Sequence, residues 1–211
     1  MGADRPADKT ASTSVAIDAL IAKRWSPRAF DHAKPVSHAQ LISLFEAARW
    51  APSCFGDEPW RYIAWDRGRD EAGWQKAFAC LSPGNQQWVK NAPLLLASIA
   101  GSEFSQSGKP NRWAQHDTGA ASENLVLQAA SLGLAAHQMG GFDKEKLIAA
   151  FGIPSGFTPM AMIAIGYQAS PDLLPPDYKA RELASRTRKS LGEKFFEGEW
   201  GAPMTMTGLP D

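Results

Sequence analysis

The stretch from Trp113 to Leu132 constrains the fold more than any other part of the chain, because it is the longest run that reads as a single helix. Ala121, Leu125, Gln128, Ala129 and Leu132 recur along one side at helical spacing, and Gly133 stands where a C-terminal cap belongs. Its small residues, Gly119, Ala120, Ala121, Ala129 and Ala130, would let another helix backbone come close, as a central or subunit-interface helix requires. The plain helix propensity of alanine accounts for them equally well. A chain of 211 residues supplies one ordinary core for such a helix to pack into.

Shorter signals lie on both sides. Val15, Ile17, Leu20 and Ile21 open a first helix. Ser37 and Gln40 have the spacing of a capping box, and Leu41, Leu44, Phe45 and Ala48 form the apolar face of the helix that follows, which Pro52 closes. Trp60 to Trp65 reads as an aromatic strand and Leu94 to Ala100 as a buried one, with short helices around 71–78 and 85–90 between them. Asp143 caps a helix through Phe151, and Met160 to Tyr167 is a third strand, bounded by Pro159 and Gly166. After Gln168 come Pro171, Pro175 and Pro176, then Lys179, Arg181, Arg186, Arg188, Lys189 and Lys194. The expected organisation is a polar arm over 1–14, disordered or strapping, one domain over 15–200 whose last part, 168–200, is a crossing and basic tail, and a C-terminal tail over 201–211.

Lys and Arg together number 22, equal to Asp and Glu, so no global field favours nucleic acid or an anionic membrane, and any anion site must be local. The apolar run at Leu94 is far shorter than the about 20 residues that a bilayer span needs, and the first 14 residues lack the apolar stretch of a secretory signal. A soluble, cytoplasmic protein is expected. Cys54 and Cys80 suit neither a disulfide framework nor a thiolate cluster, and His32, His38, His116 and His137 show no ligand spacing with them, so no metal is expected.

Lys23, Arg24 and Arg28 gather near the first helix with the Ser26 hydroxyl, and Arg186 and Arg188 form a second basic cluster. Two such clusters in a neutral chain suggest one anion gripped by guanidinium forks, with solvated helix ends as the other reading. The loop from Ala51 to Trp60 is rich in turn formers and can present backbone groups to a ligand. Its Cys54 has no neighbouring histidine and reads as a wall residue rather than a nucleophile. Gly140 and Gly141 would let the main chain approach a flat ligand, or simply make a turn.

In order, RWSPRAF, AARWAPSCFGDEPWRY, NQQWVKNAP, DTGAASENLVLQAASLGL, GGFD, MAMIAIGY and ELASRTRKSLGEKFFEGEWG closely resemble the nitroreductase family over roughly residues 15–200. The resemblance implies an α+β fold, a central mostly antiparallel sheet flanked by helices, assembled as an intertwined homodimer with one FMN at each of two interface sites and NAD(P)H as co-substrate. It places Arg24, Ser26 and Arg28, with Trp25 among them, at the FMN phosphate, ribityl chain and pyrimidine edge, and Arg186 and Arg188 at a second phosphate contact. Pro52, Ser53, Cys54 and Gly56 match the loop lent by the partner subunit, Asn85 a polar contact to the ring edge, and Met139, Gly140 and Gly141 the backbone beside flavin N5. The flavin carries the redox chemistry, so no catalytic acid or base is named.

Two positions depart from the family pattern, Gly56 and Glu58 standing where Asn and Gln are more common. Glu58 is either an anion beside the flavin ring, which would lower its potential, or a strand cap or arginine partner. Trp113 and His116 are candidates for the acceptor side of the pocket, or packing residues. The implied activity is two-step reduction of a small planar electrophile such as a nitroaromatic or quinone. The alternatives are flavin fragmentation, dehalogenation, or flavin storage without turnover. Lys9, in the arm, is expected to stand apart from the phosphate grip, so that Lys9→Ala would retain FMN far better than Arg24→Ala combined with Arg188→Ala.

Overall fold

The apolar runs pair into a single four-stranded sheet. The computed structural model describes residues 7–205, so the outer part of the expected arm and the end of the expected C-terminal tail lie outside the described residues. The strands are β1 (Trp60–Asp66), β2 (Leu94–Gly101), β3 (Ala135–Met139) and β4 (Phe157–Gly166), in the order β1-β2-β4-β3, with every neighbouring pair antiparallel. All eight residues of β2 are buried, which is why it reads as a continuous apolar run rather than an alternating one. Leu94 and Leu96 face one core, and Leu95, Ala97 and Ile99 face the other.

Helices cover both faces. α2 (His38–Arg49) and α5 (Ala114–Ser131) pack on the side of Leu94 and Leu96, where Leu44, Ala48, Ala121, Leu125 and Ala129 meet Ile163 and Ile165. α3 (Glu71–Phe78), α4 (Pro83–Val89) and α6 (Lys144–Phe151) cover the other side through Trp74, Trp88 and Leu147. α5 is the expected long helix, and it ends at Gly133, whose φ of 71° a residue with a Cβ would rarely adopt. The Ser37–Gln40 capping box and the Asp143 cap both form as read. The architecture is therefore the expected α+β one. No helix among the described residues is long and apolar enough to cross a membrane.

Two local readings need correction, and two further segments take their form only from the structure. The first helix, α1 (Ala19–Lys23), does not begin near Val15, because the Asp18 side chain accepts the Leu20 N–H and starts the helix there, leaving Val15 and Ile17 exposed. Pro159 lies inside β4 rather than at its boundary. Ser98 pairs with Ala161 and Ile99 with Pro159, so Met160 is the extra residue of a bulge, where a proline's missing N–H breaks no ladder bond. Gln138 and Met139, which no strand signal marks in the sequence, belong to the short alanine-rich β3, which occupies 135–139 and draws its register from β4. Finally, the tail helix is α7 (Pro176–Leu183), and Arg186 and Arg188 follow it on non-helical backbone.

Candidate functional site

The segment after α1 runs extended from Arg24, whose ψ is 128°, and the far end of the chain holds it in place. Glu182, fully buried in the last turn of α7, accepts the N–H of Arg28 at 2.9 and 3.1 Å and that of Ala29 at 3.1 Å. The same carboxylate lies 3.9 Å from the Arg28 guanidinium. From the sheet side, His137 on β3 donates Nδ1–H to Pro27 O at 2.9 Å, which fixes its tautomer. Burial, opposed by bonds to the Pro27 and Ser26 backbone and aided by the charges of Arg28 and Arg24, pulls the His137 pKa down to about 4. His137 is thus neutral near pH 7. Trp88 tilts against it with ring centroids 4.6 Å apart.

Around this frame the two basic clusters of the sequence become one. Arg186 donates to Lys9 O at 2.6 Å and to Ala22 O at 3.1 Å, which anchors the tail beside α1. Burial lowers its pKa, and the nearby charges of Arg24 and Arg188 lower it further. Arg24 and Arg188 thus lie near enough to Arg186 for their charges to act on it. Arg24 also reaches Ser26 Oγ at 3.4 Å and Glu123 on α5 at 3.8 Å. Trp25 lies under the Lys9 ammonium, 4.8 Å from ring centroid to Nζ. Lys9 is consequently not the remote charge that its place in the sequence suggests.

From His137, β3 runs through buried Met139 to Gly140 and Gly141, about 10 Å along the strand at roughly 3.3 Å per residue. The two glycines are small for different reasons. A Cβ on Gly141 would lie 2.8 Å from Asn85 Nδ2 and 2.9 Å from Ser82 Oγ, because Asn85 donates to Gly141 O at 2.9 Å. A Cβ on Gly140 would meet nothing within 4 Å. Gly140 opens onto exposed space beside Asn85, and a Cβ there would project into whatever the protein binds at that face.

The loop after α2 forms a second patch. It carries a 3-10 turn over Cys54–Gly56, and three of its residues have left-handed backbone: Phe55 (φ 56°), Gly56 (φ 65°) and Glu58 (φ 50°). For two residues with side chains this is stored strain, held by the surroundings. Asp117, buried near the start of α5, accepts Cys54 N–H at 2.9 Å and contacts His116 Nδ1 at 3.1 Å. Asp57 accepts from Ser105 N at 2.8 Å, Ser105 Oγ at 2.7 Å and Asn111 Nδ2 at 3.2 Å. Phe55 is thereby pushed out, 85% exposed, with its ring edge-on to Phe104 at 5.8 Å. Trp113, 41% exposed, and His116 lie beside the same Asp117, ring to ring at 6.4 Å. Pro52 and Glu58 are exposed, and the Glu58 backbone O accepts from Arg61 at 3.0 Å.

Within one chain the loop and the basic cluster stay apart. Asp117 and Glu123 are six residues apart on α5, so the two patches are about 9 Å apart along the helix and about a third of a turn apart around it. The chain thus brings together Arg24, Trp25, Ser26, Arg28, Arg186 and Arg188. It separately brings together Asn85, Met139, Gly140 and Gly141, at the end of the strand that starts beside the cluster. Pro52, Ser53, Cys54 and Gly56 join Trp113 and His116 instead. The sequence reading missed Glu182, Asp117, Asp57 and Lys9, whose signals were present: Glu182 opens ELASRTRK and Asp117 opens DTGAASENL, two acids at the heads of segments that otherwise invite attention to their basic and small residues.

Comparison with known proteins places this geometry. Residues 21–167 match the Nitroreductase family, which is more than half of the chain. A solved structure described as an oxidoreductase containing FMN superposes with a TM-score of 0.85 at 36% identity, covering 90% of this chain and 96% of that one. A protein of Archaeoglobus fulgidus provisionally named NADH dehydrogenase/NAD(P)H nitroreductase is 27% identical over 152 residues, 70% of this chain and 83% of its own length. An uncharacterized 15.4 kDa protein of Mycolicibacterium smegmatis is 40% identical over 93 residues, and the match spans 63% of that relative and 44% of this chain. With its sheet order, its two-sided helical cover and this match, the chain belongs to the nitroreductase family of oxidoreductases.

Proposed function

We propose that the protein is an FMN-dependent reductase that uses NAD(P)H to reduce a small planar electrophile such as a nitroaromatic or a quinone, in two separate steps at one site. The observation that carries this reading is the meeting of Arg24, Arg186 and Arg188 from opposite ends of the chain at one end of a strand whose other end is the open backbone of Gly140. A ligand with a dianionic head and a flat, weakly polar body matches both ends. FMN has that form.

The residues present fit such a group. Guanidinium forks would hold the phosphate with charge-assisted bonds, and the Ser26 hydroxyl adds a neutral donor. Asn85 Nδ2 is engaged by Gly141 O, so its carbonyl oxygen remains to accept from a ring N–H. Gly140 has no Cβ to keep a flat ring from its main chain. When bound, FMN would supply the redox chemistry, accepting hydride from NAD(P)H and returning it to the acceptor. The chain's own work is to hold, orient and wall off that group, and no side chain here is assigned as a general acid or base.

Assembly as a homodimer completes the reading. The loop over Pro52–Gly56 would serve the partner's cofactor, since in its own chain it is set apart from the basic cluster. Exposed apolar side chains such as Trp50 (72%), Phe55 (85%) and Ile42 (54%) are consistent with a protein face covered by a second copy. Trp113 and His116 would then line the acceptor side, and Phe55 with Phe104 and Lys109 borders a cavity of about 300 Å3 at the loop. The test is the visible spectrum of the purified protein before and after NADH and NADPH, with its size-exclusion mass. A yellow dimer that bleaches anaerobically and recovers with a quinone is expected. A protein that stays colourless after incubation with FMN overturns the reading.

A further inference from the structure

The N-terminal arm is bound at the basic cluster by contacts at four points. Gln168 donates to Ala7 O at 3.0 Å, Arg186 donates to Lys9 O at 2.6 Å, and Ala11 N donates to Ala22 O at 2.9 Å. Between these backbone ties the Lys9 side chain turns inward, with Nζ donating to Glu182 O at 2.9 Å while it lies over the Trp25 ring. An ammonium has three donors, and Glu182 O accounts for one.

The charge balance around Lys9 is uneven. Burial disfavours its charged form most, the Glu182 carboxylate opposes that effect, and the charges of Arg186 and Arg28 add to it. That carboxylate is directed at the N–H groups of Arg28 and Ala29 and lies 3.9 Å from one guanidinium. Glu123, the other acid at the cluster, is half exposed and 3.8 Å from Arg24. Arg24 and Arg28 thus each have a carboxylate, while Lys9 and Arg186 bond backbone oxygens beside them and Arg188 adds its charge nearby. Folding an ammonium into a site where its neighbours repel it is costly unless an anion completes the group. The arrangement is pre-set for a dianion.

We propose that Lys9, carried in by the N-terminal arm, is a further binding residue for the phosphomonoester of the cofactor, closing the phosphate end that Arg24, Arg28, Arg186 and Arg188 open. This rests on the reading that the cluster takes the phosphate of FMN. Arginine forks give directional pairs of bonds, while a lysine adds a compact point charge on a flexible stem. Lys9 would therefore tighten binding of the phosphate without contributing to recognition of the flavin ring. The arm becomes part of the cofactor site instead of an appendage.

Riboflavin, which has the ring and ribityl chain without the phosphate, separates these contributions. Dissociation constants for FMN and riboflavin would be measured by flavin fluorescence on the full-length protein stripped of cofactor, as wild type, Lys9→Met and Lys9→Arg, at two salt concentrations. Met keeps the packing against Trp25 and removes the charge, and thermal melting of each stripped protein checks that it folds. Lys9→Met is expected to weaken FMN about tenfold, the scale of one charge-assisted hydrogen bond at a partly exposed site, to leave riboflavin unchanged and to reduce the salt dependence. Lys9→Arg is expected to restore most of the loss. Unchanged FMN binding by Lys9→Met, or equal weakening of FMN and riboflavin, overturns the role of Lys9 while leaving the flavin site in place. Wild-type protein that binds FMN no more tightly than riboflavin overturns the phosphate site and Lys9 with it.

Discussion

The basic end and the 53–58 loop are both organised by buried acids, yet they are built in opposite ways. At the basic end, Glu182 and Arg186 join segments 154 and 164 residues away in sequence, so the basic cluster is assembled within one chain. At the loop, Asp117 and Asp57 pin a strained backbone to the region around the start of α5 and present Phe55 outward. One region gathers, and the other projects. The basic end can therefore be probed in a single folded chain, whereas the loop has its effect on whatever packs against it.

The largest effect is expected at the gathering region. Glu182→Ala strands the N–H groups of Arg28 and Ala29 in a buried setting, and should cost about 4 kcal/mol in urea unfolding, with loss of FMN. Glu182→Gln, which keeps an acceptor, should lose less than half of that. If both variants are as stable as wild type, the basic end is not held from its tail.

Next comes pH. Unfolded His137 titrates near 6.5 and folded His137 near 4, so the unfolded chain takes up the proton first. Its contribution is intact above pH 6.5, declines as pH falls through 6.5, and levels off near pH 4, a span on the order of 3 kcal/mol. The difference between wild-type and His137→Gln stability should carry that slope. A difference that is flat from pH 7 to 4 would show that the imidazole protonates freely in the fold.

The loop should respond more modestly. Asp117→Ala releases Cys54 N–H and should cost about 2 kcal/mol, while weakening FMN and riboflavin to the same degree, because the loop is expected to meet the ring and not the phosphate. A selective loss of FMN would merge the two regions and break the comparison. Smallest in stability is Gly140→Ala, with no change in the melting of stripped protein, since its Cβ has no neighbour within 4 Å. Its binding of both flavins should nevertheless fall, and unaltered binding would move the ring away from Gly140.

Much of this fold was legible because its signals are local. The Ser37–Gln40 box, the Asp143 cap, Gly133 and the unbroken run of β2 each lie within a few residues of what they specify. What was missed depends on distant partners. β3 has alanines where a strand usually has branched side chains, and only pairing with β4 makes it a strand. Pro159 reads as a boundary until Ser98 and Ile99 show the bulge. Arg24, Arg186 and the glycine pair stood out as local clusters with two readings each, and Asn85 came from resemblance, while Lys9 stayed hidden because its side-chain partner lies 173 residues further on. Glu182 stayed hidden because an acid beside three arginines reads as solvated charge.

The tie between Arg186 and Ala22 also sets a clock on biosynthesis. These groups are 164 residues apart, and at 5 to 20 residues per second the ribosome takes on the order of ten seconds to deliver the second after the first. Throughout that interval the nascent protein carries Arg24 and Arg28 without Arg186 beside them. If the cluster holds the cofactor's phosphate as proposed, loading belongs to the completed polypeptide.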